Sequence, residues 1–253
     1  SRDPLDSAKD WYVPPIDDGE DETSSVARGG SVSLEAHTGH VVAVAVRHLK
    51  NLGFAADGYP FEQAAELHDI GKADERFQAM LRRTDRTDAW LGVGGLGALL
   101  AKSDGLPRSP VQAREARERA GLPNGFRHEM LSVQLAECIT GLTEDESSRE
   151  LLLHLIAAHH GRARPFAPVV LDEETPAVEA NRGLVLSQDE RRKLVPPHRL
   201  DSGIAERFWL LTRRFGWWGL AYLESVLRLA DQNASAIEDG GPVVEQEAIF
   251  EAP

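Results

Sequence analysis

The sequence predicts an all-α domain, and three observations carry that reading. Apolar residues recur every three or four positions through most of the chain, Gly and Pro punctuate these runs, and strand-like and helix-like segments nowhere alternate as a parallel sheet would require. Leu34, Val41, Val44, Ala45 and Leu49 place the first helix over 33–52, with Gly53 as its stop. A second helix starts near Pro60, a residue tolerated in a first turn, and runs to about Gly71; a further segment covers Phe77 to Leu81. Residues 92–110 are rich in Gly and then Pro and read as a mobile loop, followed by a charged helix at about 110–120. Helices are expected at about 127–140, 146–160, 187–194, 203–215 and 217–236. Pro165, Pro168, Pro176 and several β-branched residues make 161–186 a long loop or a short hairpin. There is no internal repeat.

The 253 residues suffice for one large core or two small ones. No stretch approaches the roughly 18 uninterrupted apolar residues of a membrane span, and no basic-then-apolar leader opens the chain. The expectation is a soluble protein. The single Cys138 excludes an intramolecular disulfide and suits a reducing compartment, the cytoplasm by default. It falls in the apolar pattern Leu131, Val133, Leu135, Ile139 and is expected to be buried and structural.

The net charge of −13 argues against a nucleic-acid partner until its location is considered. Residues 1–22 carry −6 and residues 236–253 carry −5, leaving −2 for everything between. The organisation expected is an acidic, disordered arm over 1–30, a domain over 31–236 and an acidic tail over 237–253. Most Arg clusters in the body read as solvated helix faces. Arg162 and Arg164 are set apart because they follow His159-His160, where they can meet a phosphate. Phe208-Trp209, Phe215, Trp217-Trp218 and Tyr222 could stack bases, but at helical spacing beside Leu210, Leu220 and Leu223 they read as core.

Chemistry points to His68-Asp69 within Glu66-Leu-His-Asp-Ile-Gly-Lys72. Chance supplies about 0.6 His-Asp pairs in such a composition, so the pair matters only with its companions: His37 upstream, then His128, His159-His160 and Asp231. A carboxylate has two oxygens and can join two cations while imidazoles complete each sphere. Consecutive helical side chains diverge by about 100°, so His68 and Asp69 share a site only in a cavity between helices. Mixed nitrogen and oxygen donors suit Mn, Fe, Co, Ni or Zn better than Mg. Among the His of the first helix, His37 is preferred to His40 and His48, since three ligands from one helix would crowd. His159 and His160 read alternatively as histidines favoured by a helix C-terminus, and His128 as a simple cap. Asp231 lies mid-helix among Leu227, Leu229 and Ala230, where an unpaired carboxylate is costly and a metal removes the cost. His154 is expected to be packed and His198 exposed.

In these residues the chain resembles the HD superfamily of metal-dependent phosphohydrolases, and more narrowly the HD nuclease domain of the CRISPR-associated nuclease-helicase of type I interference. The texts that carry the resemblance are Ser33-Leu-Glu-Ala-His37-Thr-Gly-His-Val41, His68-Asp-Ile-Gly-Lys72 followed by Phe77, Arg127-His128-Glu129, His159-His-Gly161 and Leu229-Ala-Asp231, and it covers about 31–236. It implies an HD-domain helical bundle with a dinuclear site: one ion at His37, His68, Asp69 and Asp231, the other at Asp69, His128, His159 and His160. The two ions would be divalent Mn, Ni, Co or Fe, with Mg tolerated, and about 3.5–4 Å apart. Asp69 and Lys72 would be catalytic, Lys72 lying near the substrate phosphate.

The activity implied is hydrolysis of single-stranded DNA alongside a helicase domain or subunit and a CRISPR effector complex. Because His ligands must be neutral, metal and activity are expected to be lost below about pH 6.5. The chain departs from the nuclease-helicase in having no G-x-x-x-x-G-K-[ST] loop and no helicase motif, so it is either a stand-alone subunit or part of a longer chain. The start at Ser1 reads as a piece of a longer protein or a cloning scar, and the acidic arm favours a helicase preceding it. Two other readings compete: an HD phosphohydrolase acting on nucleotides or cyclic nucleotides, which a closed nucleoside pocket would favour, and a non-catalytic docking module.

Overall fold

A computed structural model describes residues 25–54, 59–84, 98–104, 109–143 and 145–241. Among them the elements in chain order are β1 (Val32–Ser33), α1 (Leu34–Asn51), α2 (Phe61–Leu67), a 3₁₀ turn (Ile70–Ala73), α3 (Glu75–Arg82), β2 (Leu100–Lys102), α4 (Pro110–Ala120), α5 (His128–Glu137), α6 (Glu146–Ala158), β3 (Val178–Ala180), β4 (Leu184–Leu186), α7 (Gln188–Lys193) and α8 (Ile204–Glu238). The fold is all-α, as the periodicity predicts, with two small antiparallel ladders, β1–β2 and β3–β4, attached. No helix among the described residues is long and apolar enough to cross a membrane.

The bundle is organised around α5 and α6, which pack on each other; α2 and α8 lie against α6, and α1 against α2 and α8. The buried stretch of α5 from His128 to Val133 wraps the whole helix, the mark of an element enclosed on all sides. Ser33 starts α1 by accepting the Ala36 N–H at Oγ, 3.1 Å. Leu34, Val41, Val44, Ala45 and Leu49 then form its buried stripe, and His37 falls within that stripe.

Several expectations need correction. The second helix does not reach Gly71: it stops at Leu67, and Asp69 (φ −108°, ψ 3°) leads into the 3₁₀ turn. The cause is the approach of Gly71 to α5. A Cβ on Gly71 would stand 2.1 Å from the His128 carbonyl oxygen, and its N–H donates to Ser132 Oγ at 2.9 Å. The loop proposed over 92–110 contains β2, which pairs Val32 with Lys102; its residues 92–97 and 105–108 lie outside the described residues. Of the arm proposed over 1–30, only 25–30 is described. Ser25 and Ala27 are buried there, where backbone bonds tie them to Ser103.

Cys138 is exposed rather than buried: it caps α5, which ends at Glu137 and not at 140. Partial burial and the neighbouring Glu137 and Glu190 push its thiol up, away from reactivity. Phe208 is core, but Trp209, Trp217, Trp218 and Tyr222 are exposed. Gly216 (φ 71°), the expected boundary between two helices, kinks α8 there, and the following Trp217 and Trp218 lie off the apolar stripe. His198 is half-buried, and His154 is packed, with Nε2 2.7 Å from Glu224.

A buried ionic cluster clamps the loop between α6 and β3 onto the bundle. Asp74 accepts from Arg76 Nε and Nη2 at 3.0 and 2.9 Å and from Arg191 Nη1 at 2.9 Å, while Asp172 accepts from both Arg76 Nη atoms at 2.8 and 2.7 Å. Although burial opposes it, Arg76 holds both carboxyls below their ordinary range, with Arg191 contributing. A depressed folded-state value gives stability that is present above the unfolded pKa of 3.8 and is lost as pH falls through the folded one. Asp74→Asn should cost about 3 kcal/mol in urea unfolding at neutral pH, since two buried guanidinium groups are left to share the single anion Asp172. The gap to wild type should narrow at pH 3; a difference under about 1 kcal/mol at pH 7 would count against the clamp.

Candidate metal centre

The seven predicted ligands come from five places in the chain and converge on one recess. Two groups form, His37, His68 and Asp231 in one and Asp69, His128, His159 and His160 in the other; within each, the ligand atoms lie within 4.8 Å of one another. Asp69 stands between them. Its Oδ2 is 3.5 Å from His37 Nε2 and 3.5 Å from His68 Nε2, while Oδ1 is 2.9 Å from His128 Nε2 and 3.8 Å from His159 Nε2. One carboxylate thus turns one oxygen to each group. Asp231 Oδ1 lies 3.1 Å from His37 Nε2, and His160 Nε2 lies 3.2 Å from His128 Nε2.

Two of the imidazoles are oriented by the same local device. His68 follows the last residue of α2 and His159 the last residue of α6, where helices leave carbonyls without intrahelical partners. Each ring turns back and donates Nδ1–H to a carbonyl three residues earlier, Ala65 O and Ile156 O, both at 2.7 Å. A carbonyl only accepts, so the proton sits on Nδ1 and the Nε2 lone pair faces the recess. Neither Nε2 finds a hydrogen-bond partner, although both are buried. Buried nitrogen lone pairs without a donor, facing a shared carboxylate, fit a divalent metal ion.

The electrostatics point the same way. Burial lowers His68, only partly offset by Asp69 and Asp231, and burial together with His160 and His68 holds His159 well below the ordinary imidazole range. Both rings stay neutral. Burial would raise Asp69 and Asp231, but Lys72, with the His128 hydrogen bond, keeps the first ionised, and the His37 hydrogen bond the second. His37 differs: burial opposes its charge, yet bonds to Asp231 and Glu238 and the charge of Asp69 raise it above 6.5.

The remaining candidates are placed as follows. Lys72 is buried, with Nζ 2.8 Å from Asp69 Oδ2, the oxygen that faces His37 and His68. Arg164 is 41 % exposed and bound through Nε to Glu224 at 3.0 Å; Arg162 is half-buried beside it. The sequence reading passed over Arg228. Gly161 (φ +76°) turns the chain after His160, and a Cβ there would meet Arg228 Nη1 at 3.0 Å, so this guanidinium lies against the His-His-Gly turn. Its signal was its position, three residues before Asp231. Glu238 was also missed, and it takes His37 from behind at Nδ1, 3.0 Å away.

A match to the family described as Cas3, HD domain covers residues 61–213. No curated protein and no solved structure matches the chain.

Proposed function

The chain belongs to the Cas3 HD domain family, metal-dependent nucleases of type I CRISPR systems, and from that premise we propose that it hydrolyses single-stranded DNA with two divalent transition-metal ions, alongside a helicase domain or subunit. The observation that carries the two-ion reading is Asp69, whose two oxygens face two separate ligand groups. His37, His68, Asp69 and Asp231 would hold one ion, and Asp69, His128, His159 and His160 the other. Divalent ions in these places supply Lewis acidity, polarising a phosphoryl oxygen and making water more acidic. The mixed nitrogen and oxygen donors favour Mn, Ni, Co or Fe.

The protein's part is positioning. Carbonyl-bound His68 and His159 present fixed lone pairs, and Asp69 fixes the spacing of the two groups. Lys72 keeps Asp69 anionic and sets an ammonium at the floor of the recess, where a substrate phosphate would arrive. Arg162, Arg164 and Arg228 flank the His159-His160-Gly161 turn and would meet phosphates on either side of the scissile bond. The recess supports a single strand over a duplex. His68, Asp69, His128 and His159 are almost wholly buried, and only His160 and Asp231 come towards the rim. A flexible strand can fold a phosphate into such a floor, whereas a duplex must first be opened, the work of a helicase.

The test incubates the chain with circular single-stranded DNA, duplex DNA and nucleotides under Mn, Ni or Mg, beside an Asp69 variant. Cutting of circular single strands alone is the expected result; hydrolysis of nucleotides without DNA cleavage would overturn it. Bound metal should also fall with pH in two stages. His37 takes a proton above 6.5, so its ion leaves first, while the depressed His159 keeps its group loaded to lower pH. Metal content after dialysis from pH 8 to pH 5 reads this directly, and retention of both ions at pH 5 would refute it.

A further inference from the structure

His37 cannot be oriented as His68 and His159 are. It lies in the first turn of α1, where a helix offers spare N–H groups and its carbonyls are already committed to the following turn. An imidazole N–H there has no backbone acceptor of the kind Ala65 and Ile156 provide. The structure assigns that role to Glu238: we infer that Glu238 is the positioning residue that fixes His37 with its proton on Nδ1 and its Nε2 lone pair turned to the first ion, and that Lys102 holds Glu238 in place. The inference rests on the reading of His37 as a metal ligand.

The geometry is specific. His37 Nδ1 lies 3.0 Å from Glu238 Oε1 and 3.1 Å from Oε2, while its Nε2 faces Asp231 and Asp69 on the opposite side of the ring. The Glu238 side chain is 3 % exposed, and its Oε2 accepts from Lys102 Nζ at 2.9 Å. His40 Nδ1 reaches Oε1 at 2.9 Å from the outer side. With a buried ammonium bound at Oε2, the Glu238 carboxylate is placed to accept, not donate, at Oε1. An ionised carboxylate accepts from Nδ1–H and cannot donate to it, so a neutral His37 that ligates an ion through Nε2 has its proton on the Glu238 side of the ring. The buried Lys102 supplies the balancing charge, so Glu238 stays ionised without requiring a cationic His37.

Lys102 also gives a use to a segment with no evident role. It is the last residue of β2, paired with Val32 of β1, and β1 runs directly into α1. The strand that seats Lys102 and the helix that carries His37 are one ladder apart. The Arg28 N–H donates to Asp239 Oδ1 at 2.9 Å and anchors the end of α8 to the same corner.

The test uses the full chain and two variants. Glu238→Gln is isosteric, but its amide can accept from Nδ1–H or donate to a bare Nδ1, so the lock on the tautomer is released; Glu238→Ala removes the partner. Long-range ¹⁵N correlation spectra of the metal-free chain, recorded at about pH 9 so that the ring is neutral, report the His37 tautomer, and calorimetric titration with Mn²⁺ reports ion number and affinity. The expected result is a single Nδ1–H form in wild type, a mixture in Glu238→Gln, and one of two ions bound about 10–100-fold more weakly in both variants. A merely structural Glu238 would lower thermal stability in the Ala variant and leave the Gln variant with wild-type affinity. That outcome, or an unchanged His37 tautomer in Glu238→Gln, overturns the inference even if the Ala variant fails to fold. A wild-type chain that binds no Mn²⁺ would instead overturn the metal reading beneath it, and the inference with it.

Discussion

Asp69→Asn should retain neither ion and should lose nuclease activity by about a thousandfold or more. The size follows from what one carboxylate does here. Oδ2 faces His37 and His68 and Oδ1 faces His128 and His159, so a single substitution weakens both groups. Lewis-acid stabilisation of a phosphoryl transition state is worth several kcal/mol, and each 1.36 kcal/mol is about tenfold in rate. The substitution also leaves the Lys72 ammonium buried without its anion, so a loss of stability accompanies the loss of metal. The isosteric amide is preferred to Ala because it keeps the packing. Metal content and cleavage of circular single-stranded DNA check it together. An Asp69→Asn chain holding two ions would remove the bridging role, and one holding a single ion would confine Asp69 to one group.

Gly71→Ala should be nearly as severe, although Gly71 bears no functional group. A Cβ there would lie 2.1 Å from His128 O, 2.8 Å from Ser132 N and 3.0 Å from His128 C, all backbone atoms of α5 that cannot swing aside. The 3₁₀ turn must retreat, carrying Asp69 away from His128 Nε2, now 2.9 Å from it, and breaking the Gly71–Ser132 bond. A cost of about 3 kcal/mol or more is expected, at the upper end for forced overpacking, with loss of both ions. Gly39→Ala is the control, since nothing lies within 4 Å of the new methyl and its backbone is ordinary helix. It should be neutral or slightly stabilising. Thermal unfolding and metal content of the two variants side by side decide the point; equal behaviour would show that the turn and α5 have slack.

What the sequence made legible divides along physical lines. The convergence of several candidates was readable because helical signals place them: His37 inside an apolar stripe, His159-His160 at the end of one, Asp231 beside the buried Leu227 and Ala230. The break after Leu67 was not readable, since Ile70 continues the helical spacing and the reason for the break sits on α5. Cys138 was misplaced because α5 ends at Glu137, three residues short of the expected end, so the apolar pattern through Ile139 does not continue as one buried face. The exposed Trp pair after Gly216 was misread because the break at that glycine was placed but the direction in which the second segment leaves it is not written in the spacing. Glu238 and Lys102 were invisible for a different reason. Glu238 lies in what reads as an acidic tail and Lys102 in a Gly-rich stretch, and only the tertiary fold brings them to His37.

The corner where α1, β2 and the last turn of α8 meet joins residues 201 apart in sequence. In polymer terms, contacts across such a separation close nearly the whole chain into a ring, and the entropy lost on closure grows only as the logarithm of the length enclosed. Most of that entropy must be surrendered whether or not an ion is present. An ion shared by His37 on one arm and Asp231 on the other would therefore act as a reversible clasp on the folded chain, one whose strength is set by the concentration of free metal in the surroundings.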